Sequence, residues 1–383
     1  MSQNFKDYIS RELWELSKST WGDENSDKEK LVSSSALDYN SPRSIKLPSS
    51  SDNESSATSF GMVSEGVGSK PYFAERLQRY EGLGQDLLAM VLDDVARIGG
   101  TVLGLTTTID VGSHLGSEWE ESDVICTLMK GFVREARKLN IPLLDGEFSE
   151  LYGRIGSLPF ILNASALWYA KDDDIIDGSK VLPGDTIIAL PETGFRSNGY
   201  TILRDLFWEI WGDRWIDSTT IPGIMGEEDE EDNNFIKIAT DLVIQPSYIY
   251  YPIIQDLLYR SPKCPISGMV HVTGGGLPGK LKKYLRRSGR SAVVDNPFPS
   301  FNPLITYFLR NGIVSLQKAY ETWNMGYGFL IITSQPDKIL PRLKEWFYDK
   351  KEQPQKVGYI DYNRSRNIKD STILIQTNTG LVF

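Results

Sequence analysis

A glycine-rich segment at residues 65–70 carries residue types that could bind phosphate. It contains Glu65, Gly66, Gly68 and Lys70 in the sequence EGVGSK. Such glycines let the backbone approach a phosphate, a lysine supplies a point charge, and a carboxylate can hold Mg²⁺. A P-loop needs four residues between its first glycine and Gly-Lys, so this segment is not one. Taken alone, the pattern favours a plain turn over phosphate binding.

A second glycine-rich segment is the most distinctive in the chain. The sequence HVTGGGLP contains His271, Thr273, Gly274 and Gly275, followed by a third adjacent glycine. Adjacent glycines leave the backbone open to a ligand, and the threonine hydroxyl can donate a hydrogen bond. A lone histidine is more often a structural residue, but this is one of only two in the chain.

A polar turn, GFRSNGY, is predicted between a strand and a helix. Arg196 could fork onto a phosphate or carboxylate, and Ser197 and Asn198 could donate hydrogen bonds beside the helix N-terminus. The alternative is ordinary N-capping by Ser197 or Asn198.

Carboxylates at three places could bind a cation. Asp94 falls on the apolar stripe of a predicted helix over 85–98, where a carboxylate is unfavourable unless it is paired or binds a metal. Its neighbour Asp93 is predicted to point further round, towards solvent. Asp145 and Glu147 lie at the end of a probable strand, where acids commonly face a site, although helix capping also explains them.

Alternating strands and helices must position these residues. Apolar spacing and β-branched runs predict helices over 85–98, 124–139, 200–211, 248–259 and 280–286, and strands over 101–109, 161–169, 186–190 and 329–333. This rhythm favours an α/β or α+β protein with two lobes.

Three further segments are less regular. Residues 4–17 could form a short amphipathic helix, and the serine-rich stretch 33–59 is typical of a mobile loop, either a lid or a plain connection. The acidic run 223–234 favours a solvated surface loop over a cation site, because clustered like charges repel and stay hydrated.

Bulk composition excludes several classes of protein. A length of 383 residues suits two domains, and a net charge of -10 argues against a general nucleic-acid binder. Cys126 and Cys264 form neither a disulfide framework nor a zinc pattern. Neither a signal peptide nor a membrane span is evident, so we expect a cytoplasmic protein.

Taken in order, these segments resemble the aminoimidazole ribonucleotide synthetase family, also called phosphoribosylformylglycinamidine cyclo-ligase. The resemblance covers roughly residues 61 to 360. The matching elements are EGVGSK at 65–70, Asp93-Asp94, Asp145 to Glu150, the junction at 176–185, RSNGY at 196–200, HVTGGGLP at 271–278 and NMGYG at 324–328.

The resemblance implies a fold and a reaction. It implies a variable segment over 1–60, an ATP-binding lobe over 61–180 whose strands build a barrel across a homodimer, and an α/β lobe over 181–383. The implied reaction is ATP-dependent: the amide oxygen of formylglycinamidine ribonucleotide is phosphorylated, and an amidine nitrogen then closes the imidazole ring.

The resemblance also implies roles for particular residues, with ATP and Mg²⁺ as cofactors. The implied metal ligands are Glu65, Asp94 and Glu147. The implied catalytic residues are Lys70, Asp94 and His271. The implied ATP and substrate contacts are Gly66, Gly68, Lys70, Arg196, Ser197, Asn198, Thr273, Gly274 and Gly275.

Several departures from the family pattern touch the chemistry. Glu65 replaces an aspartate, Arg196 replaces a histidine and cannot act as a base, residues 106–110 differ, and the glycine-rich loop expected before Gly61 is absent. They leave open a homologue without turnover that binds a nucleotide or a partner. Another ATP-dependent enzyme of the same superfamily is the remaining alternative.

Overall fold

The computed structural model describes most of the chain, in two compact units. The described residues are 12–13, 15–16, 18–19, 58–112, 120–151, 160–212, 215, 230–286, 288–296, 302–362, 371–377 and 380–383. The first unit comprises Met1–Val95 with Gly100–Asp174, and the second comprises Ala96–Gly99 with Ile175–Phe383.

The first unit is built on a four-stranded sheet. Its strands are β1 (Thr58–Gly66), β2 (Thr101–Val111), β3 (Leu143–Glu150) and β4 (Phe160–Lys171), in the order β1-β4-β2-β3. Strands β2 and β3 are parallel, whereas β4 runs antiparallel to both β1 and β2. Its helices are α1 (Lys70–Leu77), α2 (Glu81–Ala96) and α3 (Glu120–Lys138), with a 3-10 turn at Asp172–Asp174.

The two faces of this sheet differ in burial. Leu162, Ala164 and Ala166 alternate along β4 on a buried face, as strand periodicity requires. The opposite face, which we call the open face, carries Phe60 and Met62 with 52% and 67% of their surfaces exposed. Large apolar side chains on one sheet face at such exposure are typical of a surface that another protein covers.

Two glycines allow helices α2 and α3 to approach each other closely. A Cβ on Gly84 would lie 2.3 Å from the backbone nitrogen of Phe132, and one on Gly131 would lie 2.1 Å from the carbonyl oxygen of Glu81. Both are backbone atoms that cannot move aside. The sequence therefore needs glycine at both positions for this helix crossing.

The second unit is built on a seven-stranded sheet. Its strands are β5 (Thr186–Pro191), β6 (Gly268–His271), β7 (Ser291–Val294), β8 (Tyr327–Thr333), β9 (Gln355–Asp361), β10 (Ile373–Ile375) and β11 (Leu381–Val382), in the order β11-β10-β7-β9-β5-β8-β6. Its helices are α4 (Tyr200–Trp211), α5 (Glu230–Ile244), α6 (Tyr251–Tyr259), α7 (Gly276–Leu285), α8 (Pro303–Arg310), α9 (Leu316–Thr322) and α10 (Pro336–Trp346).

Strand β8 lies in the middle of this unit's core. It is buried at every position from Tyr327 to Thr333, which explains its uninterrupted apolar sequence. Strands β5 and β6 both run antiparallel to it, on either side. The carboxyl ends of β5 and β6 therefore lie at one edge of the sheet, beside the start of β8.

The mixed α/β architecture with two lobes is confirmed, and the predicted helices and strands lie within a few residues of those observed. Two predictions were wrong in part. Residues 230–234 of the acidic run begin helix α5 instead of continuing a loop, and Asp145 and Glu147 lie within strand β3 instead of at its end.

Other predictions are tested only in part. Of the predicted N-terminal helix over 4–17, residues 12–13 and 15–16 are helical, and the rest lies outside the described residues. The serine-rich stretch also lies outside them, except for its last two residues, which begin β1. Within the described part of the chain, no helix combines the length and apolarity needed to cross a bilayer.

Candidate functional site

Three turns meet at one edge of the second unit's sheet. One follows β5, one follows β6 and one precedes β8. Asn324 joins two of them, because its side-chain amide donates to the carbonyl oxygen of Gly194 at 2.8 Å and its oxygen accepts from the backbone of Gly326. The backbone of Val272 donates to the carbonyl of Gly328 at 3.0 Å. The predicted RSNGY, HVTGGGLP and NMGYG motifs are thus parts of one site.

Two of these turns form what we call the cradle, defined as residues 196–199 and 273–276. They lie side by side, since the side-chain oxygen of Asn198 is 3.4 Å from the position that a Cβ on Gly274 would occupy. Each turn leads directly into a helix: residue 199 is the N-cap of α4, and residue 275 is the N-cap of α7. The cradle is therefore lined by the first turns of two helices.

Both N-caps are glycines with positive φ, and neither helix receives a side-chain cap. The φ angles are 73° at Gly199 and 90° at Gly275. The next residue, Gly276, also has a positive φ of 64°, and a Cβ there would lie 1.9 Å from the carbonyl oxygen of Tyr320. In α7 the N–H of Gly276 donates to the carbonyl oxygen of Thr273 and residue 278 is proline, which leaves the N–H of Leu277 in that first turn. A helix start without a side-chain cap, reinforced by the helix dipole, suits an anion such as phosphate.

One polar side chain of the cradle, that of Ser197, has an unused capacity for a hydrogen bond. Ser197 is only 7% exposed, and its hydroxyl oxygen has no hydrogen-bond partner among the described residues. Thr273 is likewise buried, whereas Gly274 and Gly275 are exposed. Because a buried hydroxyl without a partner is unfavourable, Ser197 fits the oxygen of a bound ligand.

Arg196 occupies a position different from the one predicted for it. Its guanidinium is fully buried and donates to the carboxylate of Glu192 at 2.9 Å and to the carbonyl oxygen of Tyr248 at 2.8 Å. It also lies 2.7 Å from the Nε2 atom of His271, itself buried. The charge of Arg196 is therefore paired within the chain, and its contact with a ligand phosphate stays a prediction.

Glu192 is the group that makes this burial possible. Complete burial raises the pKa of Glu192, and the ion pair with Arg196 and hydrogen bonds from the backbone of Gly194 and Tyr248 oppose that rise. Sequence reasoning missed this residue. The available signal was an acid placed directly after the strand that ends at Pro191, where functional acids often lie.

In the first unit, Lys70 also has a partner that the sequence did not reveal. Lys70 begins helix α1, and its ammonium lies 2.5 Å from the carboxylate of Asp86 on α2, with both side chains fully buried. The structure therefore places Lys70 in a buried ion pair, and its contact with phosphate stays a prediction. Of the predicted glycines, Gly66 ends β1 against the side chain of Asn163, and Gly68 lies in the exposed turn before the helix with a φ of 57°.

The two aspartates of helix α2 are reversed relative to the prediction. Asp93 is fully buried, whereas Asp94 is half-buried. The helix is buried almost all round from Leu87 to Asp93, so its narrow apolar stripe does not define the inward side. Asp94 therefore does not carry the burial argument that favoured it as a metal ligand.

The three predicted metal ligands do not converge within one chain. Glu65 pairs across the sheet with Ala164, which pairs with Thr107, which pairs with Gly146. Glu147 lies one residue further along β3, so it projects from the opposite face and is three strands away, about 14 Å at the usual strand spacing. Among the described residues, no group of three or more His, Cys, Asp or Glu could hold a metal ion. The predicted Mg²⁺ ligands therefore do not form one site within the chain.

Fold and site together define a two-unit α/β protein whose glycine-rich turns open beside helix N-termini. The chain belongs to the family of AIR synthase related proteins. Residues 55–167 match the N-terminal domain of that family, and residues 183–361 match its C-terminal domain.

Two cyclo-ligases with similar sequences agree with this family. The phosphoribosylformylglycinamidine cyclo-ligase of Thermosynechococcus vestitus is 31% identical over 70% of this chain and 72% of its own length. That of Methanosarcina mazei is 31% identical over 72% of this chain and 74% of its own length.

Solved structures share the fold at much lower identity. The hydrogenase maturation protein HypE of E. coli aligns with a TM-score of 0.60 and 15% identity, covering 99% of this chain and 95% of that one. Thiamine-monophosphate kinase from Stenotrophomonas maltophilia aligns with a TM-score of 0.59 and 14% identity, covering 94% and 95%. At such identities the likeness shows the fold alone.

Proposed function

We propose that this protein is an ATP-dependent cyclo-ligase that converts formylglycinamidine ribonucleotide to aminoimidazole ribonucleotide. The observation that carries the proposal is the cradle, where two glycine-capped helix N-termini lie side by side. Both reactants carry phosphate groups, which such backbone recognises. Family membership and the relatives named as cyclo-ligases support the same assignment.

The proposed reaction balances without a redox partner. The amide oxygen of the substrate attacks the γ-phosphorus of ATP, ADP leaves, and the amide nitrogen gives up its proton to solvent, which gives an iminophosphate. An amidine nitrogen of the same molecule attacks the activated carbon. The C–O bond to the phosphate then breaks, releasing inorganic phosphate, and the nitrogen loses a proton as the imidazole ring forms. Positioning and charge stabilisation are the protein's contribution in such phosphoryl transfers.

The cradle's part in this reaction is to hold a phosphate group in a fixed place. The backbone at the start of α4 and the N–H of Leu277 in α7 donate to its oxygens, and the Ser197 hydroxyl adds a hydrogen bond, since it has no partner among the described residues. The exposed Gly274 and Gly275 leave the backbone accessible. Asn198 orients the turn, because its side-chain amide donates to the carbonyl oxygen of Arg196.

We also propose that the protein works as a homodimer formed through the open face of the first unit's sheet. Besides Phe60 and Met62, this face bears a hydroxyl pair, Ser64 and Ser165, whose oxygens lie 2.7 Å apart. A second copy of the same face would remove this apolar surface from water.

The test is a turnover assay with a matched pair of variants. Purified protein is incubated with ATP, Mg²⁺ and formylglycinamidine ribonucleotide, and the formation of ADP and aminoimidazole ribonucleotide is followed. We expect Ser197→Ala to fold normally and to lower kcat/KM by about 10-fold or more, because a hydrogen bond to a charged phosphate is lost. Ser371→Ala is the control, since Ser371 also has a buried hydroxyl oxygen without a partner in the described part of the chain. Equal activity of the two variants would show that the cradle does not take part in the reaction.

A second candidate is a homologue without turnover that binds a nucleotide or a partner protein. The observation favouring it is that Lys70 and Arg196 are each paired with a buried carboxylate of the same chain. Phosphoryl transfer is usually assisted by cations that face the phosphates. In the same assay, retained ATP binding without formation of ADP would support this candidate against the cyclo-ligase.

A further inference from the structure

A buried cluster of Glu192, Arg196 and His271 lies beneath the cradle. All three side chains are at most 1% exposed. One guanidinium nitrogen of Arg196 donates to Glu192 at 2.9 Å, and another lies 2.7 Å from the Nε2 atom of His271. The guanidinium also stacks over the ring of Tyr250 at 4.8 Å, and the imidazole stacks on Phe329. The arginine is thus held on several sides while it contacts the imidazole.

The contact with Arg196 fixes the hydrogen on the imidazole. A guanidinium has only donors and stays protonated, so the Nε2 atom of His271 must accept the hydrogen bond. The hydrogen of a neutral imidazole is then on Nδ1. A protonated imidazole would point an N–H at another N–H over 2.7 Å and would place two cations together in a buried site, which is strongly unfavourable.

The groups around Arg196 and His271 compensate the buried charge of the guanidinium. Glu192 is the carboxylate that faces the guanidinium, and it also accepts from the backbone of Gly194 and Tyr248. The Tyr250 hydroxyl donates to the carbonyl oxygen of Pro191, and burial raises the pKa of Tyr248. Among the described residues, the ion pair of Glu192 and Arg196 and a neutral imidazole therefore make a cluster without net charge.

We infer that Arg196 is a positioning residue that locks His271 in its neutral Nδ1–H form and ties together the two turns of the cradle. His271 ends β6 just before the turn at 273–276, and Arg196 begins the turn at 196–199. Their contact thus links the two turns of the cradle. It follows that His271 neither gives nor takes a proton through Nε2. The consequence for ligand binding rests on the proposed function, whereas the protonation state of His271 does not.

The direct test is nitrogen NMR of protein labelled in its histidines. The chain has only two, His114 and His271, so His114→Gln leaves a single imidazole to observe. We expect one protonated nitrogen, Nδ1, and one unprotonated nitrogen, Nε2, with no titration between about pH 5 and 8. A midpoint near an ordinary histidine pKa, or a hydrogen on Nε2, would overturn the inference.

Variants at Arg196 then test whether the arginine is the cause. In the His114→Gln background, Arg196→Gln should release the lock, so that the His271 signals titrate within this pH range or show a mixture of tautomers. Arg196→Lys keeps a cation and a donor and should retain the Nδ1–H form. Arg204→Gln, at a half-exposed position of α4, is the matched control and should leave the spectrum unchanged. An unchanged spectrum in Arg196→Gln would refute the role of the arginine. If that variant does not fold, the inference is tested by the parent spectrum and by Arg196→Lys, in which loss of the Nδ1–H form would contradict it.

A pH profile of turnover provides the readout that depends on the proposed function. Arg196→His, which restores the residue type of the resembled family, should introduce an ionisation into kcat/KM that the parent protein lacks. The same profile in both proteins would contradict a positioning role. Absence of turnover in the parent protein would count against the proposed function, while the NMR result on His271 would stand.

Discussion

The buried pair of Lys70 and Asp86 gives the sharpest prediction about the first unit. Lys70→Met removes the cation that faces the Asp86 carboxylate at 2.5 Å, where both side chains are fully buried. Removing one partner of a buried ion pair usually costs about 3–5 kcal/mol, because the remaining charge stays in a poorly solvated place. We therefore expect Lys70→Met to lower the free energy of unfolding by that amount. A loss of this size is a large share of the stability of an ordinary domain.

The double variant separates the ion pair from other effects of mutation. Replacing both partners of a buried pair with apolar residues is often neutral, so Lys70→Met with Asp86→Leu should be more stable than either single variant. The resulting coupling energy should be several kcal/mol, well above the few tenths expected of independent sites. Lys356→Met, which breaks an exposed pair with Asp337, is the control and should change stability by less than about 1 kcal/mol.

Urea denaturation followed by circular dichroism measures these differences. Additive effects of Lys70→Met and Asp86→Leu would refute the ion pair as a stabilising unit. A Lys70→Met variant with the stability of the parent protein but with weakened ATP binding would show instead that the lysine contacts phosphate, as the sequence resemblance implied.

Three other expectations concern the rest of the molecule. Gly276→Ala should destabilise the protein and distort the cradle, because the added Cβ would lie 1.9 Å from a backbone oxygen. Gly279→Ala in the same helix adds a Cβ in open space and should stabilise the protein by up to about 1 kcal/mol. The urea midpoints of the two variants test this difference. Burial tends to raise the pKa of Asp256, but hydrogen bonds led by that from Arg342 outweigh it and hold the pKa below its ordinary value. This contribution is present above about pH 4 and is lost as pH falls through the folded-state pKa, so Asp256→Asn should flatten the acid loss of stability measured by urea midpoints at a series of pH values. Met62→Glu should convert the proposed dimer to a monomer in light scattering, while an exposed apolar position in the second unit, changed as Leu182→Glu, should not.

The cradle was predictable because its sequence encodes backbone conformation locally. Positive φ angles, and at Gly276 a neighbouring backbone oxygen, require glycine at Gly199, Gly275 and Gly276. Such requirements can be recognised in the sequence from the glycines themselves. Strand and helix positions were predictable for a similar reason, since burial imposes a period on the apolar residues.

The partners of the charged residues were not predictable in the same way. Whether Lys70 faces a ligand or Asp86 depends on how α1 packs against α2, and nothing in the local sequence reports that packing. Arg196 turns inward because Glu192 and His271 are buried beside it, and His271 is far away along the chain. The aspartates of α2 were reversed because a helix buried almost all round has no single apolar stripe to define its inner side.

Turnover by the parent protein tests the central claim most directly. Incubation with ATP, Mg²⁺ and formylglycinamidine ribonucleotide should yield ADP and aminoimidazole ribonucleotide in equal amounts, and omission of the ribonucleotide should suppress ADP formation. Binding of ATP without either product would contradict the assignment as a cyclo-ligase.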